Sequence, residues 1–505
     1  MSLHPLLPLL RDDPSVPAIL GAPNSLVAVP EPARAYVLAA LAVLSGRRPF
    51  VVAVATTGDA ERLAHDLRAF LGDEEVEAFP AWETLPFERV SPSVETMGRR
   101  LRVMWRLRSG GHAAAGDPGL PRVLVAPVRA LVQRLGPHVE DVEPVRVAPG
   151  DQIDPGDLVE RLVVTGYRRE YQVEHRGEVA VRGSIVDVFP STADRPVRVD
   201  LWGDEVDRLT EFAVADQRST GDLAGVEIFG CRELLATEEV RERAGELIGR
   251  EPWGREQWER LSLGQTFDGM ESWLPWLTEG EHVLLDLVAD DAQLVLVEPR
   301  RMRDRAAELL AEEEALAATL AQTWGVRGDR DLPRLHLPFD RLLTHTRAPA
   351  WTLSSAPESP ATAAVQATGW DPVVGDGSRL VKQLGELRSD GYRVVLCAEG
   401  KGTATRIAAS LNEAGITAAL PTGAKSHDRE LVEPGIRVVV QPLERGFVLP
   451  GARLAVLAES DVTGRRRAHR RPRPRRASEG FFDDLKAGDY VVHHQHGVAR
   501  FTMPP

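Results

Sequence analysis

Between residues 179 and 201 apolar and polar positions alternate with a period of two: Val179 and Val181, then Ile185, Val186, Val188 and Phe189, then Val197, Val199 and Leu201. Successive strand side chains point to opposite faces, so this pattern predicts half-buried antiparallel strands and a small sheet with one wet face. Placed to face outward are Arg169, Arg176, Arg182 and Arg198, with Glu178 and Asp200 among them. A guanidinium cluster edged by carboxylates suits recognition rather than catalysis. The same residues also read as ordinary solvated strand positions, because charged outer faces are common on antiparallel sheets.

On either side the pattern changes. Residues 25–29, 49–56 and 123–126 are short continuous apolar runs, while 33–44, 60–71 and 127–135 have helical spacing. Strands alternating with helices predict a parallel sheet covered by helices. After Ser219 helical spacing returns, with strands expected at 283–287 and 293–297 and a long helix over 300–324. Insertion of one domain into another is the economical account. At 347–378 the composition shifts to Ala, Pro, Ser, Thr and Gly, which reads as a linker. A second compact unit follows, with helices at 379–388 and 404–414 and strands at 392–398, 415–419, 437–441 and 454–458.

Several stretches imitate catalytic or metal chemistry. The turn after the first apolar run reads VPEPARA (29–35), where a phosphate-binding loop would sit. Pro30 and Pro32 lack N–H donors, Glu31 repels phosphate, and no Gly-Lys-Ser/Thr follows, so triphosphate binding in the usual way is not expected. A cap at Asp59 accounts for the next turn. GKGT (400–403) has the wrong order for a phosphate loop and reads as a capped turn, and Glu459 with Asp461 is a weak metal signal. His493, His494 and His496 offer two ligands on one strand face, too few for a tight metal site. Trp82, Leu85 and Phe87 read as plugs of a core beside a proline-rich loop.

Charge and composition narrow the class. A formal net charge of −14 excludes a surface that is mostly a nucleic-acid track. The one strongly basic stretch, RRRAHRRPRPRR (465–476), holds two prolines and reads as a solvated tether, with contact to nucleic acid or an acidic partner as the other reading. Two cysteines, Cys231 and Cys397, give no disulfide framework or zinc ligand set, and no uncharged apolar run approaches a membrane span, so a cytoplasmic protein is expected.

The run GYRREYQVEHRGEVAVRGSIVDVFP (166–190), followed by RPVRVDLWGDEVDRL (195–209), resembles the second domain of UvrB and of the bacterial transcription-repair coupling factors, the Mfd family. FPAWETLPFERVSPSVETMGRRLRVMWRL (79–107) is more typical of Mfd than of UvrB, and LKAGDYVVHHQHGVARF (485–501) resembles the opening of the CarD-like module that contacts RNA polymerase. The resemblance implies a multidomain α/β fold: a helicase-like parallel sheet domain with a small antiparallel α+β insertion, a second small α/β domain and the start of a small β-barrel. Its divisions fall at 1–145, 146–219 (the insertion), 220–346, 347–365 (linker), 366–463, 464–484 (basic linker) and 485–505.

The resemblance also implies UvrA as the partner of the inserted domain. Its contacts carry over to Arg169, Arg182, Arg198 and Asp200, while one UvrB arginine falls on Ala180. No cofactor is expected in this segment. Family members continue into motor lobes that use ATP and Mg²⁺ and act on double-stranded DNA, so the chain is expected to be the N-terminal portion of a longer translocase. Two rivals remain: a UvrB-like helicase subunit of the excision nuclease, and a CarD-like regulator with an unrelated extension.

Overall fold

The computed structural model describes residues 2–109, 119–278, 280–324, 332–371, 377–421, 424–463, 490–493 and 497–500. The early strands are β1 (Ser25–Ala28), β2 (Phe50–Val54), β3 (Val76–Ala78) and β4 (Val123–Pro127). Next come β5 (Val145–Val147), β6 (Arg168–Arg169), β7 (Glu178–Arg182), β8 (Ile185–Val188), β9 (Val197–Trp202), β10 (Glu205–Phe212), β11 (Ser219–Asp222) and β12 (Val226–Ile228). Strands β13 (Gln293–Val297), β14 (Ala350–Ser354) and β15 (Ala363–Ala364) then rejoin the early ones in a seven-stranded sheet ordered β15-β1-β14-β13-β2-β4-β3, every pair parallel.

Because both faces of this sheet are covered, its inner strands β2 and β4 are apolar and buried at every position. In β2, Phe50, Val52 and Val54 enter one core and Val51 and Ala53 the other. The helices Arg34–Leu44 and Thr57–Leu71 pack into the first, and Val94–Arg108 into the second.

The insertion is a six-stranded sheet ordered β11-β10-β9-β8-β7-β6, antiparallel except between β6 and β7. The helix Pro155–Val164 helps close its core; Asp154 caps that helix by accepting the N–H groups of Gly156 and Asp157. A second α/β unit contains β16 (Thr368–Gly369), β17 (Arg393–Ala398), β18 (Ala418–Ala419), β19 (Gly435–Val440), β20 (Phe447–Leu449) and β21 (Leu454–Ala458), ordered β16-β20-β21-β17-β19-β18. A last antiparallel pair joins β22 (Tyr490–His493) to β23 (Gly497–Arg500).

The chain is thus a helicase-like multidomain α/β protein, with corrections in detail. The presumed linker supplies β14, an interior strand between β1 and β13; its Trp351 is buried with its ring 5.6 Å from that of Phe50. Five strand residues flanked by Pro and Ser are too few to shift the composition of that stretch. Residues 284–287 form a 3₁₀ helix rather than a strand, because Asp286 accepts the N–H of Val283 and turns the chain. Thr56, not Asp59, caps Thr57–Leu71. Of the supposed core plugs Trp82 is buried, Phe87 packs on Trp276 and Leu85 is exposed.

At 400–403 the helix begins at Lys401, and Glu459 accepts the N–H of Glu399. Asp461 accepts the N–H groups of Gly446 and Ala458, a structural use of that acidic pair. The basic stretch 465–476, His494 and His496 lie outside the described residues. Among the described residues no group of three or more His, Cys, Asp or Glu is arranged to hold a metal, and no helix is long and apolar enough to cross a membrane.

Two junctions fix the insertion on the large sheet domain. Gly98 sits where a Cβ would come within 2.2 Å of the Ser191 hydroxyl, so only glycine lets the helix Val94–Arg108 approach this closely. Beside it Arg100 and Glu233, both fully buried, pair at 2.7 Å. The same carboxylate oxygen accepts the indole N–H of Trp82, and Arg100 lies over the Phe79 ring and donates to the carbonyl of Pro80. Burial pushes the Glu233 carboxyl up and Arg100 opposes it.

The cleft at the C-terminal ends of the parallel strands is where an open α/β sheet usually takes its ligand. Here it is occupied by the protein's own charges. Arg34 pairs with Glu298 and donates to Ser355, and the loop of the second α/β unit enters with Glu444 donating its N–H to Asp66 and Arg445 pairing with Glu31.

Two outcomes follow from these contacts. Arg100→Met leaves a buried carboxylate without its cation and should cost about 3–5 kcal/mol; urea unfolding should show a lower midpoint, with partial recovery in Arg100→Met/Glu233→Gln. Titration calorimetry of the chain with ATP should show no micromolar binding, since Arg34 is already committed and the turn has no glycine N–H cradle.

Candidate partner-binding face

Alternation decides which side chains leave the small sheet's core. Val179, Val186, Val188, Val197, Val199, Leu201, Val206 and Leu209 turn inward. The opposite face is set by register. One row crosses it as Ala180, Asp187, Arg198 and Thr210, the next as Arg182, Ile185, Asp200 and Arg208. The turns Gly183–Ser184 and Gly203–Asp204 close the hairpins β7–β8 and β9–β10. In each the first residue is a glycine at positive φ, 63° and 64°, as a two-residue turn of type II′ requires.

The first row centres on Asp187, whose side chain is 0 % exposed and also draws Arg182 from the second. Arg198 donates to it twice, from Nε at 2.7 Å and from Nη2 at 3.0 Å, and Arg182 donates from the other side. Arg198 also lies over the Phe212 ring, 4.8 Å from its centroid, and keeps only 15 % of its side chain exposed. Arg182 keeps 38 %. Hydrogen bonding to Asp187 holds the Arg198 guanidinium more firmly protonated than usual. Burial pushes the Asp200 carboxyl up, against the pull of Arg198 and Arg208.

Beside the pair lies a small apolar cluster of Val173, Ala180, Phe189 and Phe212. Phe189 is buried, with Arg176 5.5 Å from its ring centroid. Arg176 itself is spent on Glu95 and Asp194, and Glu178 is buried, accepting the N–H groups of Glu174 and His175. Neither is a free outward charge.

The structure therefore brings together Arg182, Arg198 and Asp200, but not Arg169. In the parallel pair β6–β7, Arg169 stands opposite Val179, which belongs to the core side, and Arg168 stands opposite Glu178. Arg169 is exposed on the edge strand and makes no ion pair among the described residues. Sequence reasoning missed Asp187 as the organiser of the face; the one signal was an acid between Val186 and Val188 in a run otherwise wholly apolar.

The family model described as the UvrB interaction domain matches residues 145–234, and that of the MFD D3 domain matches 387–462. A transcription-repair-coupling factor of Mycobacterium tuberculosis is 36% identical over 95% of this chain and 41% of its own length. Those of Myxococcus xanthus and Bacillus subtilis are 30% and 27% identical, over 93% and 88% of the chain and 41% and 39% of their own lengths. The chain spans about two fifths of the length of these relatives. It belongs, as their N-terminal region, to the family of transcription-repair coupling factors.

Proposed function

We propose that this chain is a docking scaffold that binds UvrA, the damage-recognition partner of nucleotide excision repair, through the face built on Asp187. In a longer parent protein it would recruit UvrA to RNA polymerase stalled at damaged DNA. The polymerase contact belongs to the module that begins near residue 485, and double-stranded DNA, ATP and Mg²⁺ belong to the motor lobes of an ATP-dependent translocase. The scaffold itself performs no chemistry in this reading, and its compartment is the cytoplasm. The observation that carries the proposal is the coincidence of the UvrB interaction match, 145–234, with a sheet face whose arginines are held in place by a buried carboxylate.

The four residues divide by role. Arg182 uses one nitrogen on Asp187, which leaves donors of its planar fork for a partner carboxylate. Arg198 is largely covered and acts as a positioning residue through Asp187. Asp200, in the row with Arg182 and Arg208, offers an acceptor. Arg169 contributes from the sheet edge, as a peripheral charge that speeds encounter more than it tightens the complex.

Removing Arg182 should leave Asp187 held by Arg198 and the fold intact. Arg182→Ala is expected to weaken UvrA binding by about thirtyfold or more, with an unchanged thermal midpoint, because a partner carboxylate loses a charged donor at a cost of about 2–5 kcal/mol. Arg182→Lys should recover only part, since an ammonium lacks the fork. Titration by surface plasmon resonance together with differential scanning fluorimetry reads both quantities. Unchanged affinity with an intact fold would return the cluster to an ordinary solvated face.

A second expectation concerns Asp187→Asn, which removes a charge that the partner would never touch. UvrA affinity should fall and the thermal midpoint should drop, since two guanidinium groups lose their shared anion. Normal affinity in this variant would contradict the positioning role.

A further inference from the structure

Trp202 is 83 % exposed, and it is the one tryptophan among those whose side chains are described whose surface is mostly open to solvent. It ends β9 with the burial alternation Val197 in, Arg198 out, Val199 in, Asp200 out, Leu201 in, Trp202 out, so it belongs to the face that carries Arg198 and Asp200. Among the described residues no side-chain hydrogen bond, ion pair or ring contact engages its indole. Its cross-strand neighbour across the Gly203–Asp204 turn is Glu205, itself exposed. Leu201 donates its N–H to the carbonyl of Ser184, which sets Trp202 level with the neighbouring Gly183 turn. No atom lies within 4 Å of a Cβ built on Gly183 or Gly203, so both turns leave open space around the ring.

Half-buried Ile185 occupies the same face one step inward, in the row that runs from Arg182 to Arg208. Ile185 and Trp202 thus share the end of the sheet with Arg182, while Arg208, further along the row, is held by Asp222. An aromatic ring with a polar rim is the usual anatomy of a binding hot spot, because the rim keeps water from the ring once the contact closes. Leaving so large a ring in water has no counterpart among the other tryptophans whose side chains are described, which lie in cores or at their margins.

We propose that Trp202 is the apolar anchor of the partner contact, entering an apolar pocket that is flanked by carboxylates on the partner surface. The carboxylates answer the donors that Arg182 keeps free and the pocket answers the ring, so the proposal commits to an acidic protein surface. It rests on the reading of this face as the UvrA-binding site and adds to it a residue that charge reasoning does not reach. Trp202 fixes where on the partner the face can seat, whereas the arginines alone would tolerate sliding along an acidic patch.

The test measures binding of UvrA to the full chain and to Trp202→Ala, Trp202→Phe and Trp202→Lys. Trp202→Ala is expected to lose about thirtyfold in affinity, mostly as faster dissociation, with an unchanged thermal midpoint. Trp202→Phe should keep most of the affinity, and Trp202→Lys should lose as much as alanine although it adds a cation facing an acidic partner. Tight binding by Trp202→Ala or Trp202→Lys would overturn the anchor while leaving the UvrA reading intact. No binding by the unsubstituted chain would instead remove that reading. Concentration-dependent self-association of the chain, abolished by Trp202→Ala in sedimentation, would assign the ring to a second copy and would also overturn the proposal.

Discussion

A carboxylate with no exposed surface, Asp187, sits in the middle of an otherwise solvent-facing sheet, and the geometry of that face depends on it. A buried charge is stable only when paired and hydrogen-bonded. Asp187 therefore draws in Arg198, on the neighbouring strand, and Arg182, at the hairpin end of its own ladder. The result differs from a set of solvated arginines. Long cationic side chains on a sheet usually sample many rotamers, and each must be ordered at some entropic cost when a partner binds. Here much of that ordering precedes binding.

The same logic extends downward into the fold. A face that presents fixed charges is useful only if the sheet beneath it is fixed to the rest of the chain. The close approach of Gly98 to Ser191 and the buried Arg100–Glu233 pair provide that mounting, joining the helix Val94–Arg108 to the insertion itself and to the segment that follows it. On the other side of the large sheet, its first core runs on into the second α/β unit, where Tyr36 meets Phe447 with ring centroids 5.1 Å apart. The cleft that would hold a ligand in a related architecture is taken up by Arg34, Glu298 and the Glu444–Arg445 loop. Charges that could have served a phosphate hold elements together instead.

Much of this was legible from periodicity. The alternation in β7 to β9 and the continuous apolar runs of β2, β4 and β13 declare their faces, because burial imposes its period on the sequence wherever one side meets a core. The misses have physical causes. Strand β14 hides in a stretch dominated by its turn-forming flanks, and Val283–Leu287, apolar but for Asp286, is too short for a period to distinguish a strand from a short helix. Arg169 falls in a two-residue edge strand, too short for alternation to declare a face. The ion pairs of Asp187 escaped notice for a related reason: alternation tells which side a residue faces, not which neighbour across the ladder will neutralise it.

The central claim, that the Asp187 face is where UvrA binds, is tested most directly by amide hydrogen exchange of the chain alone and with saturating UvrA. The account predicts slowed exchange confined to the exposed turns Gly183–Ser184 and Gly203–Asp204 and the adjoining ends of β7 to β10, with no change in the second α/β unit. Protection confined to residues 387–462 or to the helices of the large sheet, with none between 178 and 212, would contradict it.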